Sequence, residues 1–481
     1  MIKIKNYIDG KWCDAASNKT AIRKNPANND ETVGEYPVSG IADVRQAIEA
    51  AQKAFSIWKN TPAPQRSQIL QKVIDLIKTD IDECAHNLTL EHGKTLREAK
   101  GEINRGLAEL EYFVGEGCRI EGRHIPASRK GVVCYTKREP IGVISAIVPW
   151  NFPFIPVIRE VAPAIVYGDT VVLKPATLTP FTSAHVVKCF ERAGLPAGVL
   201  NMVVGSGSAV GRELVENPLV KGITFTGSGE VGRTIAEGAA RHHARLQLEM
   251  GGKNPAVVFE SADLQDAAAQ IFGRAFGSCG QVCMAISRVI VHESVADELC
   301  KLLKVKAEEA IVGSGLESNS TMGPLVSEEH LKKVLGYVEK GVQEGAELLT
   351  GGNRLTGPKY DKGNFMSPTI FANVSPDSVI AREEIFGPVL SVLTFSNFEE
   401  AIEICNSVNF GLAATGFTKR FDEALAFVDK AQAGMVQTNL ATYCEPYVPF
   451  GGVKGSGFGP YSIGYTTVDF YTDQKSVYLY A

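Results

Sequence analysis

Between residues 142 and 228 the chain alternates short β-branched runs with helical stretches, and that alternation constrains the fold more than any other feature. The runs are GVISAIVPWN, DTVVLKPA, VLNMVVG and VKGITFTGS, each closed by a glycine, a proline or a small polar residue. Helical stretches separate them, at 182–193 and 209–216. Strand, helix, strand, helix specifies an α/β fold with a doubly wound, mainly parallel sheet, whose ligands sit at the carboxyl ends of the strands. The alternation resumes after Gly252 with PAVVF, a helix from Leu264 to Phe276, and SRVIVH. Two α/β domains joined near 249–252 are the simplest partition.

The flanking segments are less constrained. The opening stretch to about Gly40 reads as strands and turns, with NPAN and Gly34 as breakers. Val44, Ile48, Ala51 and Phe55 recur at helical spacing and predict a helix over 43–58, followed by a second over 63–77. The segment 88–114, rich in Glu, Lys, Ala and Leu, predicts one long surface helix. The last residues, DFYTDQKSVYLY, alternate like a strand with nothing after it to pair with, and such a strand docks on another subunit.

Composition excludes several classes. The 481 residues carry 49 basic and 54 acidic side chains, a net charge of −5, with no long basic run to line a nucleic-acid groove. Ten cysteines without a C-x-x-C pair argue against a disulfide scaffold, a zinc ribbon or a thioredoxin-type site. The first residues, MIKIKNYIDGKW, lack the apolar core of a secretory signal. The apolar stretch 141–158 contains Pro149, Pro153 and Pro156, which would break a membrane-spanning helix. The expected setting is a reducing, cytoplasmic one, with no resident metal.

Six segments stand out chemically, and each alone has a bland reading. Gly227-Ser228-Gly229-Glu230-Val231-Gly232 follows a strand and opens a helix, as a pyrophosphate-binding loop does, with Glu249 about 20 residues on where a ribose-binding acid belongs. In a chain with 47 glycines such a match also arises by chance. Lys174 ends the run DTVVLK and would point into a ligand crevice, or simply be solvated. In FGSCGQVC, Cys283 follows a helix break at Gly280, and a nearby helix dipole can lower a thiol pKa. The usual role of a single cysteine is a small apolar core residue, which is the reading for Cys279. LEMGGKNP, EEIFGP and the glycine-rich PFGGVKGSG place an acid or a tight loop where plain turns rarely need one.

Taken in order from Pro149 to Gly457, PWNFP, LKPA, FTGS, LEMGGKNP, FGSCGQVC, EEIFGP and PFGGVKGSG closely resemble the aldehyde dehydrogenase superfamily. With the amino-terminal NPAN segment the resemblance covers nearly the whole chain. It implies a Rossmann-like cofactor domain over 1–118 and 139–249, a catalytic domain over 250–448, and a small β oligomerisation element over 119–138 and 467–481. It also implies that Cys283 is the nucleophile, that Asn151 holds the oxyanion together with a backbone N–H, and that Glu249 is the base that hydrolyses the thioester. Glu249 thereby moves from the ribose role to catalysis. Lys174, Thr177, Trp150, Gly205, Gly227, Ser228, Glu384 and Phe386 take cofactor positions. Phe152, Val282, Met284, Cys444 and Phe450 line the aldehyde tunnel.

Three finer expectations follow from the resemblance. Thr177 stands where many NAD-preferring members carry glutamate, so NADP is expected as the preferred cofactor, with NAD as the alternative. Arg159, eight residues beyond Asn151, is expected to bind a substrate carboxylate, unless it pairs with a protein acid such as Glu160. The expected substrate is therefore a short semialdehyde acid, succinate or 2-oxoglutarate semialdehyde. The alternatives are a lactaldehyde- or glyceraldehyde-type dehydrogenase or, from another class, a thiol hydrolase or esterase. A thiol hydrolase would need a histidine base, and none of the eight histidines lies in a motif. A homodimer or homotetramer is expected, because members of the family exchange carboxyl-terminal strands.

Overall fold

A computed structural model describes residues 1–480. Two large sheets carry the fold. Across the first, the strands run in the order Gly457–Phe458, Arg245–Met250, Val220–Gly227, Val143–Ile147, Thr170–Lys174, Leu200–Met202, Asn6–Ile8 and Lys11–Cys13. The central strands, from Arg245–Met250 to Leu200–Met202, are parallel to one another. The second sheet runs Glu347–Thr350, Thr369–Ala372, Val389–Phe395, Ile286–His292, Asn254–Val258, Ala413–Phe417 and Met435–Thr438, and only its first pairing is antiparallel. The chain leaves the first sheet at Met250 and enters the second at Asn254, so the crossing is made by Gly251, Gly252 and Lys253.

Period-two alternation explains why the inner strands are continuously apolar. Ile144, Ala146, Val171 and Leu173 pack into one core, while Val143, Ile147 and Val172 face the other. A parallel sheet covered by helices on both sides buries both faces of each strand. The helix Ile155–Tyr167 lies against this sheet with every one of its residues buried.

The helices expected over 43–58 and 63–77 run Ile41–Trp58 and Ala63–Thr79, and Leu264–Phe276 is a helix with those bounds. Three expectations need correcting. The segment 88–114 is not one surface helix. It breaks at Gly93, which adopts φ +98, into Ile81–His92 and Leu96–Glu116. Thr95 restarts the helix by accepting the Glu98 N–H, while the Glu98 carboxylate accepts the Thr95 N–H. The second piece buries Ile103, Leu110 and Phe113, and the acids Glu102, Glu109 and Glu116 with them. The stretch 209–216 opens with a single π-type turn, Gly207–Gly211, before the short helix Arg212–Glu216. Lastly, the terminal strand Thr472–Tyr480 has a partner inside the chain, pairing antiparallel with Val132–Pro140 along its whole length. Among the described residues no helix is long and apolar enough to cross a membrane.

Candidate active site

Between the two sheets lies a cavity of about 930 Å³. Cys283 reaches it through an unusual backbone. After Phe276 ends its helix, Ser278 and Cys279 take positive φ values of 49° and 57°, and Gly280 follows at 68°. Non-glycine residues rarely occupy this region, and each costs of order 1–3 kcal/mol unless its surroundings hold it there. Here Glu98 accepts the Ser278 N–H at 2.7 Å, and the Gln281 amide donates to the Ser278 carbonyl at 3.1 Å. A Cβ on Gly280 would lie 2.2 Å from the Gly387 carbonyl oxygen, so only glycine fits. The Cys283 carbonyl is pinned in turn by Asn254 Nδ2 at 2.8 Å.

Asn151 lines the same cavity from the loop after Val143–Ile147. Its Nδ2 donates one hydrogen bond to the Gln281 carbonyl at 3.0 Å, which leaves a second N–H for a ligand. Lys94 Nζ donates to the Asn151 backbone oxygen at 2.9 Å and forms a 2.6 Å ion pair with Glu102, both side chains fully buried. Glu102 also accepts the N–H groups of Phe154 and Ile155. The loop carrying the amide is therefore fixed at both ends.

Glu249 stands near the carboxyl end of strand Arg245–Met250, and its Oε2 is buried without a partner. Burial pushes its carboxyl up to about 8, against the opposing pull of the Arg159 charge and the Ser462 hydroxyl. Glu384, which accepts the Gly252 N–H at 2.9 Å, is raised to about 7, again chiefly by burial. Burial also lifts the Cys283 thiol to about 12; Arg159 lowers it, while Glu384 and Glu249 raise it further. The expected helix-dipole activation is thus corrected. The preceding helix ends at Phe276, and desolvation dominates the thiol.

Trp150, Gly227, Ser228, Glu384 and Phe386 also line the cavity. Trp150 packs edge-on to His330 and Phe386, with ring centroids 5.5 and 5.4 Å apart. Ser228 caps the helix Gly229–Ala239, whose exposed amino terminus offers N–H groups to a phosphate. Lys174, Thr177 and Gly205 lie off the cavity, in and beyond the parallel strands that end beside it. Buried Lys174 has one hydrogen bond, to the Pro175 carbonyl at 3.3 Å, so its amine retains donors for a ligand. Burial lowers its pKa to about 8. Its methylenes lie 3.8 Å from where a Cβ of Gly211 would sit. A buried, under-bonded amine and a free helix amino terminus, both at carboxyl ends of parallel strands, fit a dinucleotide.

Phe152, Arg159, Val282, Met284, Cys444 and Phe450 line the same cavity. Arg159 lines the cavity as expected and pairs with a protein acid, though not with its neighbour Glu160. Its Nε and one terminal nitrogen bind Glu109 at 3.0 and 2.6 Å, not Glu160, and its guanidinium stacks over Phe450 at 4.4 Å. Its charge is already answered by a protein carboxylate. Glu160 instead accepts the Thr226 hydroxyl, leaving its second oxygen buried and unpaired. The sequence reading also missed Lys94, Glu102, Arg105 and Glu109, all on or beside the helix Leu96–Glu116. Away from the cavity, Asp80, His185 and Cys189 come close enough to share an ion, but Arg192 holds the Asp80 carboxylate at 2.5 Å.

Comparison with known proteins agrees with this geometry. Residues 12–477 match the model of the aldehyde dehydrogenase family. The chain is 43% identical over 475 residues to alpha-ketoglutaric semialdehyde dehydrogenase of Bacillus subtilis, covering 98% of this chain and 97% of the relative. It is 40% identical over 476 residues to alpha-ketoglutarate semialdehyde dehydrogenase of Haloferax volcanii, covering 98% of each. The crystal structure of an NAD-dependent aldehyde dehydrogenase from Sinorhizobium meliloti superposes with a TM-score of 0.97 at 39% identity, covering 100% of this chain and 95% of that one. With its α/β architecture, its cavity thiol and these relatives in agreement, the chain belongs to the aldehyde dehydrogenase family and is an oxidoreductase of aldehydes.

Proposed function

We propose that the protein oxidises a short ω-semialdehyde acid, of the succinate or 2-oxoglutarate semialdehyde class, to the dicarboxylate by a hydrolytic route, with NADP preferred over NAD. The observation that carries this reading is the convergence of Cys283, Asn151 and Glu249 on one cavity that Arg97, Arg105, Arg159 and Arg274 also line. The two semialdehyde dehydrogenases above support the substrate class.

The Cys283 thiol loses its proton to water, and the thiolate sulfur bonds to the aldehyde carbon as the carbonyl π pair moves to oxygen. The oxyanion that forms is held by the free N–H of Asn151 Nδ2 and the backbone N–H of Cys283, each such donor being worth about 2.7–4 kcal/mol in the transition state. A nicotinamide dinucleotide, when bound, supplies the hydride acceptor. Loss of hydride leaves a thioester on Cys283. Glu249, once ionised, takes a proton from the water that attacks this thioester, and the acid departs as the thiol re-forms. Ser228 and the amino terminus of its helix hold the pyrophosphate, Lys174 the adenosine ribose, and Glu384 the nicotinamide ribose. Thr177 places no carboxylate beside Lys174 to repel a 2′-phosphate. All ten cysteines are free thiols, which fits a reducing, cytoplasmic setting for a homodimer or homotetramer.

The test is an assay of succinate semialdehyde against butyraldehyde with each cofactor. The acid is expected to react with a kcat/KM at least about tenfold above the neutral aldehyde, NADP is expected to serve at least as well as NAD, and Thr177→Glu is expected to reverse the cofactor preference. Equal kcat/KM for the two aldehydes overturns the substrate assignment. Negligible wild-type activity with NADP overturns the cofactor assignment.

A further inference from the structure

The helices Ile81–His92 and Pro180–Arg192 pack against each other and run in opposite directions. At one end of the pair, Glu91 accepts the Phe181 and Thr182 N–H groups at 2.9 and 2.8 Å. At the other end three side chains converge. One carboxylate oxygen of Asp80, one ring nitrogen of His185 and the Cys189 sulfur all lie within 4.8 Å of one another. His185 and Cys189 are four residues apart on one helix and so share a face. Asp80 occupies the corner between the helices Ala63–Thr79 and Ile81–His92. The three come from segments far apart in the chain, so no spacing in the sequence announces them.

These groups retain bonding capacity. His185 Nε2 is buried with no hydrogen-bond partner, which is costly unless a ligand completes it. Cys189 is buried and is a free thiol. Arg192 binds Asp80 Oδ2 at 2.5 Å, but a carboxylate accepts about four bonds, so this contact orients the group without exhausting it. The charges within reach of His185 are matched, Asp80 and Glu83 against Lys188 and Arg192. A Cys189 thiolate adds one further negative charge. An imidazole, a thiolate and a carboxylate at these distances are the donor set of a four-coordinate divalent cation, with water in the fourth position. We propose that Asp80, His185 and Cys189 bind a zinc ion that pins the Asp80 corner to the helix Pro180–Arg192. Binding forms the zinc–sulfur, zinc–nitrogen and zinc–oxygen bonds and displaces the Cys189 thiol proton to water. None of the three residues lines the cavity that holds Cys283, so the ion acts on stability and takes no part in the chemistry there.

The experiment titrates Zn2+ and, as a spectroscopic probe, Co2+ into metal-free wild type and into Cys283→Ala, which lacks the competing cavity thiol. Cys283→Ala is expected to hold one ion per chain with a Kd at or below about 1 μM. It is also expected to show sulfur-to-cobalt charge-transfer absorption and a Tm that rises with free zinc. Adding Cys189→Ala is expected to abolish the absorption, and adding either Cys189→Ala or His185→Gln to weaken binding by about tenfold or more. His185 is partly exposed, so His185→Gln carries the test if Cys189→Ala does not fold. Its metal-free Tm is expected to match that of its parent, with the zinc-dependent gain lost. Absorption present in wild type but absent from Cys283→Ala places the ion on the cavity thiol, and the proposal falls. It falls as well if Cys283→Ala takes up no zinc at micromolar concentration, or if His185→Gln binds as tightly as its parent.

Discussion

Cys283 and Glu249 are both protonated in the resting site at neutral pH, and for one reason: the cavity strips water from them faster than Arg159 can compensate. Turnover limited by thioester hydrolysis is therefore expected to rise with pH and level off above about 8, the pKa of Glu249. Glu249→Gln should slow steady-state turnover and remove that rise, while the first turnover still releases one equivalent of reduced cofactor per site. A lost burst would place Glu249 before hydride transfer. The same shift has a consequence for stability. The folded carboxyl titrates near 8 against an ordinary 4.5, so between these values the native state holds a proton that the unfolded chain has lost. Stability falls as pH rises through that window and is flat above it. The Tm of Glu249→Gln should accordingly gain on wild type from pH 5 to pH 9, by differential scanning calorimetry. LEMGGKNP and GQVC identified both residues; their protonation states depend on burial that no motif records.

Along the helix Leu96–Glu116, Glu102, Glu109 and Glu116 recur every seven residues, about two turns, and so share one face. Each meets a different part of the helix Ile155–Tyr167. Glu102 accepts the Phe154 and Ile155 N–H groups at its start, Glu109 binds Arg159, and Glu116 accepts the Tyr167 hydroxyl at its end. This ladder sets the register of the two helices and, through Lys94, the position of the Asn151 loop. Glu102→Gln leaves the Lys94 ammonium buried beside a neutral group, and removing one partner of a buried pair costs about 3–5 kcal/mol. A lower Tm and a reduced kcat are expected; an unchanged urea midpoint would show that Lys94 finds another acceptor. Acids spaced by seven among Ile103, Leu110 and Phe113 were a legible sign of a buried polar seam. Their abundance of Glu and Lys instead pointed to a surface helix, because the partners lie about fifty residues away in the chain and charge alone does not reveal pairing.

At the scale of the whole molecule, the sheet formed by His124–Ile125, Val132–Pro140 and Thr472–Tyr480 leaves Thr472–Tyr480 as an open edge, with Tyr478 and Tyr480 more than two-thirds exposed. An apolar open edge invites pairing with another chain. The full chain is expected to sediment as a dimer or tetramer, and truncation after Tyr471 to give a smaller species; an unchanged sedimentation coefficient would confine this strand to its pairing with Val132–Pro140. The parallel sheets were legible without any structure, since period-two burial and helical periodicity are local and each run of residues carries its own pattern. So was the family, because ordered motifs such as PWNFP and FGSCGQVC survive in the linear text. What the tertiary structure alone decided is the electrostatics of the cavity. Arg159 is occupied by Glu109, Arg105 is left with an unpaired nitrogen, and the Cys283 thiol is raised rather than lowered. Charge in a buried site is settled by which groups lie within a few ångströms and how little water reaches them, and sequence separation carries no information about either.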